Sequence, residues 1–195
     1  MSGVLPFVLA AMQSLIPNGD HAELGGAIAE RVDAEAPLFS DDADRRKTAS
    51  YLAAIAYRES ALRLDAVGDK GTSYCAFQLH RSSGGTRAML TDARACVGHA
   101  FGMLRTSMRA CPAHPLAIYA EGPRGCSSPR AQRISRDRLA IAARLRARVL
   151  VTATEASESA SPGFAAPIGA AVVRVSRRRS DEDSRGDRSC VGGAS

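Results

Sequence analysis

The sequence contains no tryptophan, and aromatic residues make up only 5% of its 195 positions. Its arginines are not interleaved with rings and no recognisable nucleic-acid motif accompanies them, so specific nucleic-acid binding is not expected. There is also no run of eighteen apolar residues, and no segment is expected to span a membrane. The apolar opening VLPFVLAAM is short, is interrupted by Pro6 and has no Lys or Arg before it, which leaves it only weak signal-peptide character. His21, His80, His99 and His114 are scattered without metal-ligand spacing, and no two cysteines stand close enough for a zinc knuckle. No metal and no cofactor are therefore expected. Ser82-Ser83-Gly84-Gly85 lacks the strand context of a phosphate loop or a nucleophile elbow and reads as a flexible turn. Internal repeats are absent.

What is present is enough apolar residue, 45% of the chain, to bury one core. One domain with tails is expected, acting as a monomer. The formal charge of +6 arises in the second half, where Arg124, Arg130, Arg133, Arg136, Arg138, Arg144, Arg146 and Arg148 face only Asp137. That stretch is expected to be a solvated helix face that seeks anions, for which anionic envelope polymers are as suitable as nucleic acid.

Four of the five cysteines, Cys75, Cys96, Cys111 and Cys126, fall in the best-patterned region, whereas Cys190 lies in a polar tail. If residues 91 to 110 form a continuous helix, Cys96 and Cys111 stand about 22 Å apart at ~1.5 Å rise per residue. A disulfide needs Cα atoms within about 7 Å. Of the three possible pairings the preferred one joins Cys75 to Cys96 and Cys111 to Cys126, which implies folding outside the reducing cytoplasm. The alternative is four buried free thiols.

Along the chain, residues 1–39 read as an N-terminal packing segment of two helices, Leu5 to Leu15 and Ala22 to Ala36, split by Pro17-Asn18-Gly19 and closed by Pro37. A third helix is predicted from near Asp41, capped by Ser40-Asp41-Asp42, and runs through TASYLAAIAYRES. Leu64 to His80 lacks helical period and carries Gly68, Asp69 and Gly71, so it is predicted to be a loop or short hairpin. A long helix from about Thr91 follows, with Ala93, Cys96, Val97, Ala100, Phe101, Leu104 and Met108 in one stripe. A short helix around Leu116, Tyr119 and Ala120 and a last one over Ala131 to Val149 complete the domain, the latter with Ile134, Ile141, Leu145 and Val149 facing inward. The domain thus spans 40–150, and the Ala/Ser/Gly-rich stretch 151–195 is expected to be a disordered, low-complexity tail.

Glu59 attracts attention through its position. It follows Tyr51, Leu52 and Ile55 at i+8, i+7 and i+4, so its carboxyl lies in line with an apolar stripe and is expected to be partly desolvated. Desolvation disfavours the charged form, which is what a carboxylic acid needs to hold a proton near neutral pH. A solvated glutamate at a helix end is the plain alternative.

Three motifs, AYRES at 56–60, AVGDKGTSYCAFQLH at 66–80 and LAIYAEG at 116–122, occur in an order and spacing that resemble the lysozyme-like lytic transglycosylases. The resemblance covers about residues 40–148. It implies a mainly α, lysozyme-like helical domain with a short loop or β-hairpin after the catalytic helix and a groove across it. Carried over, Glu59 matches the acid/base, Ser60 the hydroxyl that holds local geometry, Gln78 the cleft glutamine and Tyr119 the tyrosine that contacts carboxyl or sugar. Two departures stand out. Cys75-Ala76-Phe77 replaces the usual Gly-containing approach to the glutamine, and Glu121 stands where Asn and Gly are commoner, which makes it a candidate extra carboxylate in the groove.

The implied reaction is cleavage of the MurNAc–GlcNAc β-1,4 bond in peptidoglycan glycan strands. One glutamate suffices for it: Glu59 protonates the leaving oxygen, the substrate's N-acetyl group stabilises C1, and the same Glu59 deprotonates the C6 hydroxyl to give a 1,6-anhydro end. A hydrolysing muramidase would need a second carboxylate, for which Asp65 and Asp69 are candidates, although Asp in a GDKG stretch is ordinary turn chemistry. A non-catalytic cell-wall-binding module of the same fold is the remaining alternative. The expected location is the cell envelope, periplasmic or extracellular, with a phage origin also open.

Overall fold

The computed structural model describes residues 3–36, 38 and 45–159, with 150–159 described as helical backbone alone. The described chain is 69% helix and 4% strand. The helices are α1 (Val4–Leu15), α2 (Ala22–Ala34), α3 (Arg46–Ser60), α4 (Ala93–Ala110), α5 (Ala117–Glu121) and α6 (Pro129–Ser159). Between α3 and α4 lie β1 (Val67–Gly68), β2 (Ser73–Tyr74) and β3 (Leu79–His80), followed by 3-10 turns at Arg81–Ser83 and Arg87–Leu90.

Helix ends follow local chemistry. Asp92 accepts the N–H of Ala95 at 2.9 Å and starts α4; Ser128 accepts the N–H of Ala131 at 3.2 Å and starts α6 behind Pro129. At the end of α3, Ala61 (φ 54°) and Leu62 (φ 66°) turn left-handed, and their N–H groups bond back to the carbonyls of Tyr57 and Ala56. This stops the helix at Ser60, one residue after Glu59. The Ser40-Asp41-Asp42 cap expected for α3 lies outside the described residues, and the described helix begins at Arg46. Helix α6 continues past the predicted end at Val149 to Ser159; the rest of the expected tail, with Cys190, lies outside the described residues.

Helix α3 is the centre of the packing. Ala49, Leu52, Ala53, Ala54, Ile55 and Ala56 are all buried, so small residues on several faces let α1, α2 and α6 approach it. Helix α1 adds Phe7, Val8, Ala11 and Met12 to the same core, and α4 adds Cys96, Val97, Phe101 and Leu104. The stripe predicted for α4 is observed, with Met108 only partly buried. On α6 the inward residues are Ala131, Ser135, Arg138, Ala142 and Leu145, with Ile141 also buried. Ile134 and Val149, expected inside, are only partly covered.

The segment expected to be a loop or one hairpin is a three-stranded antiparallel meander in the order β1-β2-β3. Val67 pairs with Tyr74, and Tyr74 in turn with Leu79. The second turn, Cys75 to Gln78, dips inward: Cys75, Ala76 and Phe77 are buried in the common core. Cys75 (φ 61°) and Gln78 (φ 47°) adopt the left-handed conformation that glycine enters at no cost. This is how the chain completes the turn without a glycine.

Two disulfides close the frame in the preferred pairing. Cys75 is bonded to Cys96 with a Cα separation of 6.3 Å, and Cys111 to Cys126 with 5.7 Å. No described helix is long and apolar enough to cross a membrane.

Candidate active site

The inward phase of α3 carries Glu59 to the last turn of the helix, and the inward phase of α6 carries Arg138 opposite to it. Nη2 of Arg138 donates to Oε1 of Glu59. The Glu59 side chain retains 23% of its exposure and Arg138 only 7%. Among the described residues Oε2 of Glu59 has no hydrogen-bond partner, and it is not one of the buried unpartnered atoms, so solvent reaches it. Tyr119, from α5, turns its hydroxyl inward to donate to the Phe77 carbonyl at 3.1 Å. The guanidinium carbon of Arg138 lies 5.7 Å from the Tyr119 ring centroid, so the cation has a ring on one side and a carboxylate on the other.

Burial is the largest influence on Glu59 and pushes its carboxyl above the usual 4.5. Arg138 pulls the other way, Asp69 adds to the rise by like-charge repulsion, and Arg58 opposes it. The carbonyl end of α3 also disfavours negative charge there. Burial and the Glu59 charge together raise the Tyr119 phenol, with Arg138 opposing, which keeps the phenol a neutral hydrogen-bond donor.

Ser60 braces the site. Its hydroxyl is shared between the carbonyls of Ala76 at 2.9 Å and Ala56 at 3.1 Å, and accepts the N–H of Arg63 at 3.1 Å. It thereby ties the end of α3 to the β2–β3 turn. Gln78 lies in that turn and its amide faces the loop itself: Nε2 donates to Cys75 at 3.1 Å and Ala66 at 3.3 Å. Its Oε1 lies so close to Gly68 that a Cβ at Gly68 would sit 1.9 Å from it. A side chain at position 68 would therefore displace the Gln78 amide from its place.

Asp69 is exposed in the β1–β2 turn with φ 47°, and its carboxylate accepts from the Ser73 hydroxyl. Turn chemistry therefore accounts for its conformation, yet its charge reaches Glu59. Asp65 is exposed and is not among the charges acting on Glu59. Glu121 is turned to Arg130 at 3.5 Å, and it too is absent from the charges acting on Glu59. The structure thus brings Glu59, Ser60, Tyr119 and Asp69 around one locus, places Gln78 in the loop beside it, and sets Glu121 apart with an arginine.

Sequence reasoning missed Arg138. It belongs to the arginine stretch expected to form a solvated face, and Arg124, Arg130, Arg133, Arg136, Arg144 and Arg148 are indeed exposed. Arg138, 6% exposed, departs furthest from that expectation, and Arg146 departs in part, half-buried and donating to the Ser50 hydroxyl at 3.2 Å. The signal existed in the helical phase: Arg138 sits seven residues after Ala131 and seven before Leu145, on the buried stripe.

A groove of about 710 Å³ lies between α4 and α5. Gly98 and Gly102, one turn apart on α4, line it without side chains, and Tyr119 lines the opposite side, next to Arg138. No group of three or more His, Cys, Asp or Glu among the described residues could hold a metal ion. The site and fold define a disulfide-linked, mainly helical domain with a small sheet and a buried carboxyl–guanidinium pair. Searches against protein-family models, curated proteins and solved structures return no match for the chain.

Proposed function

We propose that this chain is a peptidoglycan-cleaving lytic transglycosylase in which Glu59 is the catalytic acid and then the base. The observation that carries the reading is the state of Glu59: a largely buried carboxyl at a helix end, pushed toward its protonated form, with one oxygen open to solvent. A general acid needs that combination of a raised pKa and an accessible proton. In the proposed reaction Glu59 gives its proton to the glycosidic oxygen as the C1–O bond breaks. The substrate's acetamido oxygen holds C1, and the C6 hydroxyl then attacks C1 while returning its proton to Glu59. The 710 Å³ groove is linked to this carboxyl through Tyr119, which lines the groove and whose ring lies against Arg138; Glu59 itself is not among the groove's lining residues. Two disulfides agree with action in an oxidising envelope or extracellular compartment.

The test is Glu59→Gln assayed on purified sacculi with mass spectrometry of released fragments. The variant is expected to keep the wild-type melting curve and to lose about a thousandfold in turnover, since it removes the transferable proton with little change of shape. Wild-type fragments are expected to carry 1,6-anhydro ends. Undiminished turnover by the variant would remove Glu59 from the mechanism.

A muramidase is the second reading, favoured by Asp69, whose negative charge is felt at Glu59. Reducing ends in place of anhydro ends would select it, and Asp69→Asn would then abolish cleavage. Binding to sacculi without any release of fragments would select the non-catalytic wall-binding module instead.

A further inference from the structure

We propose that Arg138 is a positioning residue that pins Oε1 of Glu59 and thereby makes Oε2 the oxygen that carries the transferred proton. The proposal rests on the acid/base reading of Glu59 and deepens it. Three observations support it. First, Arg138 spends its buried length on α6 to reach across the fold to a residue 79 positions away, and it donates there from Nη2. Second, its Nε and Nη1 are buried without a hydrogen-bond partner among the described residues, so Oε1 of Glu59 is the acceptor that the guanidinium finds there. Third, the Tyr119 ring lies against the guanidinium, and Tyr119 is itself fixed at both ends by Phe77 and Ser107.

Stability does not explain such a residue. A buried cation with two unmet donors loses solvation that one ion pair scarcely returns, and an apolar side chain of like volume commonly serves packing as well or better. Orientation does explain it. A carboxyl at the end of a helix can rotate about its terminal torsion with little resistance, and proton transfer requires the donor oxygen within about 3 Å of its target. Holding Oε1 removes that rotation. It also fixes which oxygen is left to solvent, and hence to substrate.

The other charged and titratable groups near Glu59 are Tyr119 on α5, Asp69 in the β1–β2 turn and Arg58 on its own helix. Arg58 is paired with Asp137 at 2.9 Å on the exposed side, and Asp69 is a like charge, so neither can hold Oε1 in place of Arg138.

The experiment titrates the Glu59 carboxyl carbon by NMR in the full chain, its signal assigned by its loss in Glu59→Gln. The same titration is run in Arg138→Met and Arg138→Lys, with the pH profile of sacculus cleavage recorded for each. Removing the cation takes away a force that favours the ionised carboxyl. In Arg138→Met the midpoint should therefore move up, and the high-pH limb of kcat/KM should move up with it. Plateau kcat should fall about a hundredfold, the size expected for a misplaced reacting group. Arg138→Lys, which restores a charge without the planar fork, should return the midpoint most of the way and kcat only in part. If Arg138→Met does not fold, Arg138→Gln, which keeps a donor without the charge, replaces it in the same titration.

An unmoved midpoint overturns the proposal, and so does a lowered melting temperature with an unmoved limb, since a packing role alone would give that. An active wild type with an unmoved midpoint removes Arg138's role and leaves the transglycosylase reading intact. An inactive wild type removes that reading, and the role of Oε2 in proton transfer with it, whatever the midpoint does.

Discussion

The segment from Ala61 to His80 and the helices around it solve opposite problems. Among the described residues seven non-glycine positions have positive φ, and six of them, Ala61, Leu62, Asp69, Lys70, Cys75 and Gln78, lie in this one segment. Each costs about 1–2 kcal/mol relative to an ordinary conformation, and such positions persist only where the surroundings over-determine them. Three ties do so here: the Cys75–Cys96 disulfide to α4, the Ser60 hydroxyl on Ala76, and the Tyr119 hydroxyl on Phe77. The helices carry no such strain in their interiors and bury the large apolar side chains. The helical frame supplies stability, and the segment converts part of it into a fixed geometry beside Glu59.

The largest effect is expected in the frame. Phe101 on α4 is 2% exposed within the common core. Phe101→Ala should lower the unfolding free energy by about 4 kcal/mol, read as a fall in the urea midpoint at unchanged slope. Per-molecule turnover below the new transition should stay near wild type, because Phe101 makes no contact with Glu59 or Arg138 in the ties described above. A selective loss of turnover without loss of stability would erase the distinction between frame and segment.

The next effect separates the two regions. Replacing Cys75 and Cys96 together by Ala opens a loop of sequence separation 21, and chain-entropy arguments place the loss at about 3 kcal/mol. The frame should survive while the segment loosens. Amide exchange of Thr72 to Leu79 should then accelerate well beyond that of α1 and α2, and cleavage of sacculi should fall more than the melting curve alone explains. If exchange in the segment stays slow, its hydrogen bonds to Ser60 and Tyr119 are sufficient and the disulfide is a spare tie.

This division also explains what could be read from residues alone. Helical stripes are repeated signals: Ala93, Cys96, Val97, Ala100, Phe101 and Leu104 state the same face six times, so α4 was legible to within two residues of its start. Granting that helix removed the pairing through Cys96 and Cys111, because a rigid rod keeps its ends apart; between the two pairings left, the preferred one is the one observed. The position of Glu59 followed from phase in the same way. Of the meander, a loop or short hairpin was legible, but its third strand and inward turn were not. Its strands are two residues each, too short for alternation to register, and its left-handed positions are held by tertiary ties that no local pattern announces. Arg138 was hidden for a different reason. Composition groups it with neighbours that are solvated, and only its helical phase shows that it points inward, while its partner lies 79 residues away.

The smallest predicted effect tests the strain directly, through one substitution made in both regions. Ala61 is exposed, ends α3 at φ 54°, and has no intrinsic reason to prefer that conformation. Glycine enters it without the Cβ penalty of about 1–2 kcal/mol, but loses part of that gain, about 0.4–1 kcal/mol, to the greater freedom of the unfolded chain. Ala61→Gly should therefore stabilise the protein by about 0.5 kcal/mol. Ala143, exposed on α6, is in ordinary helical conformation, and Ala143→Gly there should destabilise by about 1 kcal/mol. The two variants differ in sign although the chemical change is identical, and paired urea melts at matched slopes resolve a difference of that size. Equal destabilisation at both sites would mean that the left-handed turn after Glu59-Ser60 carries no strain, and the segment would lose its claim to differ from the frame.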